Sequence, residues 1–474
     1  MAQHANPVST EEACTVAHSA SESCNSESSD AERSVTSDSD CGIGSSLSRW
    51  KETHISWIGS YYLMIISHVL GVALKNQLFE YTRVVLATNV FSLGNGLLFT
   101  LNVAASFFAG AIVSQLGCVG SQVLGHVLML GFVACLSLCV FVGKEESLQF
   151  PLYLTGVLIA SIAQPVENTM MGPLVERTSQ VLVAESKDLD ATVSSARASL
   201  MATFTVCVSC THIVVNFSTG SLLKALERAR GQEFGIKVMF PALSLFIFLA
   251  LAIMMIVREP PAADERKERK SMRREVRNMC RLWQDPRIWL LGFAPLSLGL
   301  ANAWKLVALS GEAKEHLGAS AVAYLLLAQS LGQVILPKPI ACLLSRTGAA
   351  VWMGLGALNY LLMPVIYWTA NSLTQGWGIM TWYVMMGVAW SIYDVVARSV
   401  VLEHFPKEQS GYAFATMNVQ MFSTQAVMFF LGRKRTPGEL AAVMLVVSAC
   451  MLPGYVVAES LRKRIVGQAE RSDA

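Results

Sequence analysis

Glu167, Asp394 and Arg398 stand inside long apolar runs of this chain. A charged side chain in a membrane-spanning helix costs about 2.5 to 3.5 kcal/mol on insertion scales, so each is a candidate for chemistry. Around Pro165, Gln164 and Asn168 are four residues apart and share a helix face, with Glu167 at its side. A carboxylate there serves either as a proton-binding group or as a structural one hydrogen-bonded across helices. Asp394 and Arg398 are also four apart and can pair along one face. The alternative makes Arg398 an anchor that exchanges Asp394 for a carboxylate or phosphate of a solute. Uncharged candidates complete the set: Asn102 (with Asn95 seven residues before it), Gln333, and the Asn418 and Gln425 stripe. Interhelical hydrogen bonding is the commoner use of such amides. Lys305 and Lys338 are expected to snorkel to the interface, and His68, His126 and His212 to be core residues with satisfied ring nitrogens.

These residues need helices that cross a bilayer. The 474 residues are 53% hydrophobic and 15% charged, with a mean hydropathy of +0.46, too apolar for a soluble globular chain of this length. A hydrocarbon core roughly 30 Å thick takes about 20 apolar residues per helix. Spans are predicted at 54–74, 88–114, 118–142, 150–171, 196–217, 236–257, 288–310, 320–344, 349–369, 376–400, 411–432 and 438–458. The fold class expected is therefore an all-α membrane protein of twelve transmembrane helices, with six-helix bundles at 54–257 and 288–458.

The linker 258–287 carries ten Lys/Arg against six acids, and Arg462, Lys463 and Arg464 follow the last span, which predicts cytoplasmic termini. Against this, Lys224, Arg228, Arg230, Arg433, Lys434 and Arg435 would lie outside. Residues 1–53 read as a disordered, Ser-rich acidic tail with acid-flanked serines at Ser26, Ser28 and Ser29, a setting for phosphorylation or an inert solvated tail; residues 459–474 read as a second tail. The Cys207 and Cys210 pair has no His or acid beside it and reads as small core residues. No phosphate-cradling loop, zinc-protease motif or nucleophile elbow occurs, so no enzyme activity and no cofactor is expected. The basic linker is expected to touch anionic lipid and not nucleic acid.

The two halves are in phase at 231 residues. Gly117 aligns with Gly348, Gly156 with Gly387, Asn102 with Gln333 and Glu167 with Arg398. With the six-plus-six count and the charged central linker, the chain resembles the major facilitator superfamily. That resemblance implies a solute site near midplane between the halves. After span two the family's glycine skeleton is present as Gly110 and Gly117, but Ser114 and Gln115 replace its acid and base, and Cys118 and Val119 its basic pair. A narrower likeness is to the Unc-ninety-three-like branch, some of whose members regulate ion channels or escort receptors: Leu116, Gly117 and Cys118 match its turn, and Gly387 through Ala415 its span-ten region, with Trp390 where an acid is expected. Two functions are therefore expected as alternatives: a secondary transporter of a small, anionic or other organic solute with Glu167 or Asp394 taking a proton, and a transport-inactive scaffold for a protein partner.

Overall fold

The computed structural model describes residues 57–143, 145–185, 193–257, 272–405 and 409–473. The serines of the N-terminal tail and most of the basic stretch of the linker lie outside these residues. Among the described residues every regular element is helical. The first half holds α1 (Trp57–Val85), α2 (Thr88–Val142), α3 (Glu146–Glu185), α4 (Val193–Arg230) and α5 (Gln232–Ile256). After α6 (Met272–Leu282) come α7 (Pro286–Leu291), α8 (Phe293–Trp304), a π-helical turn at Lys305–Leu309, and α9 (Ser310–Leu317). Then follow α10 (Ala319–Ile335), α11 (Pro337–Thr347), α12 (Ala349–Thr369), α13 (Met380–Ile392), a second π-helical turn at Tyr393–Ala397, α14 (Arg398–His404), α15 (Gln409–Leu431), α16 (Pro437–Ala449) and α17 (Met451–Asp473).

Ten helical stretches among the described residues are long and apolar enough to cross a bilayer. One of them, α2, is two crossings. Phe79 packs on Phe99 at 6.0 Å and on Phe132 at 5.9 Å, although 33 residues of straight helix (132 minus 99) would separate those rings by roughly 50 Å. The chain reverses at Gly117, whose φ of 73° lies in the left-handed region; Gly348, its partner in the 231-residue repeat, has φ 77°. The Gln- and Asn-bearing α15, less apolar but buried along most of its length, makes the twelfth crossing. The expected all-α membrane fold of twelve helices in two repeated bundles is the one observed.

Solvent preference is inverted relative to a soluble protein. Leu245 and Ile335 are exposed at 67% and 68%, whereas Glu80, Glu167, Lys305 and Asp394 are buried. Lipid solvates the first kind of residue and protein partners must satisfy the second.

Several spans are longer than their apolar cores suggest. α1 runs on to Val85 instead of stopping near residue 74, α3 covers 146–185, α4 reaches Arg230, and the C-terminal segment continues as helix through Asp473. Charges paired inside the bundle do not end a helix, so hydropathy undercounts it. The described part of the linker is helical: α6 turns Met279 onto Ala415 and Val419, while Trp283 packs 5.1 Å from Phe107 and donates to Thr416 Oγ1 at 3.1 Å. This short helix therefore spans from the first arm of α2 to α15.

Candidate functional site

Glycines build the first part of the site. On α1, Gly71 leaves room for the His126 ring, which a Cβ would meet at 2.7 Å; on the second arm of α2, Gly125 leaves room for the Glu167 side chain. His126 Nδ1 and Glu167 Oε1 thereby lie 3.2 Å apart, fully buried. Both Glu167 oxygens lack any other hydrogen-bond partner among the described residues. On the other side of the ring, Nε2 is 3.0 Å from Ser67 Oγ and 3.0 Å from Gln122 Nε2, while Gln122 Oε1 lies 3.2 Å from His68 Nδ1. Ser67 also reaches Ala250 O at 2.9 Å. Its hydroxyl proton can turn to either neighbour, and the Gln122 amide can present N–H or C=O, so Nε2 finds a partner with or without a proton. The cluster can thus gain or lose a proton without a backbone shift.

A second buried cluster joins the two halves. Lys305, at the start of the first π-helical turn, pairs with Glu80 of α1 at 2.5 Å and donates to Gln329 Oε1 of α10 at 2.8 Å. Its ammonium lies 4.8 Å over the Tyr383 ring. Ser310 and Tyr383 donate to Glu80 Oε2 at 2.9 and 3.5 Å. Snorkelling of Lys305 is therefore corrected: its ammonium is buried and held inside the bundle by Glu80 and Gln329. Lys338 does stay exposed, donating to Thr203 Oγ1 at 2.8 Å.

Asp394 and Arg398 are in contact at 3.2 Å along the second π-helical turn, and the guanidinium sits 5.4 Å over Tyr393 and 5.8 Å over Phe414. π-turns are rare and concentrate at functional sites, and both of those here position a buried charge. The structure brings Asn102 to Gln164, Nδ2 donating to Oε1 at 2.9 Å. Asn418 donates across the halves to Thr169 Oγ1 at 3.2 Å. Gln333 is buried where α10 meets Gly387 of α13, its carbonyl accepting from Ser391 Oγ at 2.8 Å. The buried Gln425 has Oε1 without a partner among the described residues, and Asn168 is half-buried. Among the described residues no hydrogen bond or ion pair joins Glu167 to Asp394 or Arg398.

Three expectations about small groups change. The His126 ring pairs with a carboxylate, and His212 Nε2 is buried without a partner, so neither is a plain satisfied core histidine. Cys210 is exposed on the apolar surface of α4 and only Cys207 packs inward, as expected when a residue three positions on lies at the helix edge. Sequence reading also missed Lys75, Gln77 and Glu80, because the first span was ended just before them. The signal was present: His68, Gly71 and Lys75 fall at helical spacing on one face of an unbroken run.

Lys75 is buried on that face. Nearby, Gln77 donates to Asn216 Oδ1 at 2.7 Å, and Asn216 donates across the halves to Ser330 Oγ at 3.2 Å.

The helix count, the reversal at Gly117 and a polar interior shared by two halves define a multi-pass membrane protein with the major-facilitator fold. The chain is similar to the crystal structure of the E. coli fucose:proton symporter, FucP, with a TM-score of 0.55 and 15% sequence identity over 85% of this chain and 98% of that one. No protein-family model matches the sequence, and no curated protein matches it.

Proposed function

We propose that the protein is a secondary transporter of a small organic solute that works by alternating access of its two halves. The observation that carries this reading is the placement of polar seams. On the Gly318 face, Glu80 and Lys305 tie the halves together, with Lys314 donating to Val84 O at 2.7 Å. On the Gly117 face, Phe414 packs on Gly172, and Leu402 joins Met171, Leu174 and Val175 in one apolar cluster. Lys75, Glu167, Asp394 and Arg398 are all buried in the interior. Breakable polar contacts above and apolar contacts below a charged centre suit a protein that opens one face at a time.

Glu167, through His126, or Asp394 takes the coupling proton, and Arg398 touches an anionic solute. That the structurally similar FucP is a fucose:proton symporter supports coupling in kind only, since identity is 15%. The basic linker and C-terminus are assigned to the cytoplasm, and the first half to 54–257 and the second to 288–458. The Leu116 to Cys118 turn ties the chain by ancestry to the Unc-ninety-three-like branch.

Proteoliposomes loaded with a pH dye and exposed to a panel of organic acids, sugars and amino acids test the reading. A solute that moves protons in the wild type and not in Glu167→Gln or Arg398→Ala supports it. Uptake unchanged in both variants refutes the residue roles. No uptake of any solute, with one stoichiometric membrane partner in pull-downs, refutes transport.

A further inference from the structure

Among the described residues the buried Lys and Arg side chains follow a pattern with one exception. Lys305 and Arg398 each touch a carboxylate, Glu80 and Asp394. Lys75 is as deeply buried as Lys305, yet among the described residues no hydrogen bond or ion pair ends on its ammonium. A second buried group beside it is likewise unmatched. His212 of α4 is bonded to the backbone of Val72, three residues before Lys75 on α1, and its Nε2 has no partner. One turn away on the same face of α1, Gly71 seats the His126 ring, which leads to Glu167.

The geometry points to Lys75, one turn from both the Val72 contact of His212 and the Gly71 seat of the His126 and Glu167 pair, as the binding centre for the carboxylate of a small monoanion, taken up together with one proton held by that pair. This rests on the transporter reading and gives it a substrate class. Beside Arg398, which already holds Asp394, it adds a cation that has no counter-ion among the described residues.

Charge counting carries the coupling. Lys75 shares a face of α1 with His68 and with Gly71, which seats the His126 ring of α2 and through it Glu167 of α3; His212 of α4 meets α1 at Val72, and Arg398 of α14 is a further buried cation of this interior. With neutral histidines, Lys75 and Arg398 balance Glu167 and Asp394. A monocarboxylate alone would leave one net negative charge in an interior that solvates charge poorly. A monocarboxylate with a proton on Glu167 or His126 restores neutrality, and the freed Lys75 ammonium donates to the arriving oxygens. The Ser67 and Gln122 arrangement around His126 accommodates that proton without rebuilding the site.

The test uses the full-length protein in detergent with acetate, lactate, benzoate and hexanoate as probes, against acetamide, lactamide, benzamide and hexanamide. Binding is read by calorimetry between pH 5.5 and 7.5. At least one acid binds and its amide does not; its affinity falls about tenfold per pH unit above the titration of the pair, as one linked proton requires. Lys75→Met abolishes binding, Lys75→Arg keeps part of it, and Glu167→Gln binds with a flat pH profile. If Lys75→Met does not fold, the Lys75→Arg and Glu167→Gln profiles still decide. Binding of none of the acids, or an unchanged pH slope in Glu167→Gln, overturns the proposal. Transport of a neutral sugar that survives Lys75→Arg overturns it while leaving the transporter reading in place.

Discussion

Replacing Glu80 by Leu or Lys305 by Met leaves one buried charge without its counter-ion. The two side chains are about equally buried and 2.5 Å apart, so neither survivor can turn to water. Removing one partner of such a pair costs about 3 to 5 kcal/mol, roughly a hundredfold to a few thousandfold in the equilibrium that keeps the halves together on the Gly318 face. The structure also orders the two variants. Without Lys305, Glu80 keeps hydroxyl donors from Ser310 and Tyr383; without Glu80, Lys305 keeps one acceptor, Gln329, and a ring face. E80L should therefore be the more damaging. The double variant E80L/K305M removes both charges and should cost well under the sum of the singles. Denaturant titration in detergent, followed by tryptophan fluorescence, gives the double-mutant cycle, and labelling of a cysteine introduced at Ala319 reports opening. A coupling below about 0.5 kcal/mol, or a double variant as unstable as the summed singles, would refute the claim that this pair holds the two halves together.

Gly125→Ala places a methyl group against Glu167 Cγ and 2.6 Å from its Oε1, so the carboxylate must leave His126; a stability loss of about 1 to 3 kcal/mol and altered pH dependence of ligand binding are expected from thermal-shift assays. Gly387→Ala meets backbone, Gln329 O and, at 2.9 Å, Gln333 N, which cannot yield, whereas at Gly156 the nearest atom is the Cys135 Cβ at 3.0 Å; expression in membranes should fall sharply for the first and mildly for the second. At the end of the linker, burial pushes the Asp285 carboxyl up, but bonds from the Arg287 backbone and guanidinium outweigh it and hold it below the usual carboxylate range. A depressed carboxyl stabilises above its unfolded pKa and loses that contribution as pH falls through the folded value, so the stability difference between wild type and D285N should shrink as pH falls below about 4, and the unfolding midpoint of D285N should fall less steeply with pH there than that of the wild type.

Legibility differed between the fold and the site for a physical reason. Apolar runs of spanning length report on lipid contact, which is local, so the twelve crossings and the Gly117 and Gly348 turns could be read directly. The Asp394 and Arg398 contact was legible too, since four residues on one helix are neighbours wherever that helix goes. Glu167 was visible as a charge in an apolar run, but its partner was not, because His126 lies on another helix and meets it only through the space left at Gly71 and Gly125.

Sequence alone determined that this chain crosses the membrane repeatedly as two related halves, because hydropathy and the 231-residue phase are properties of the chain itself. Tertiary structure alone decided that Lys75, Glu80 and Lys305 belong to the interior and not to loops or interfaces. The cost of burying a charge depends on its partner, and Glu80 finds its partner 225 residues along the chain (305 minus 80), a distance no local pattern encodes.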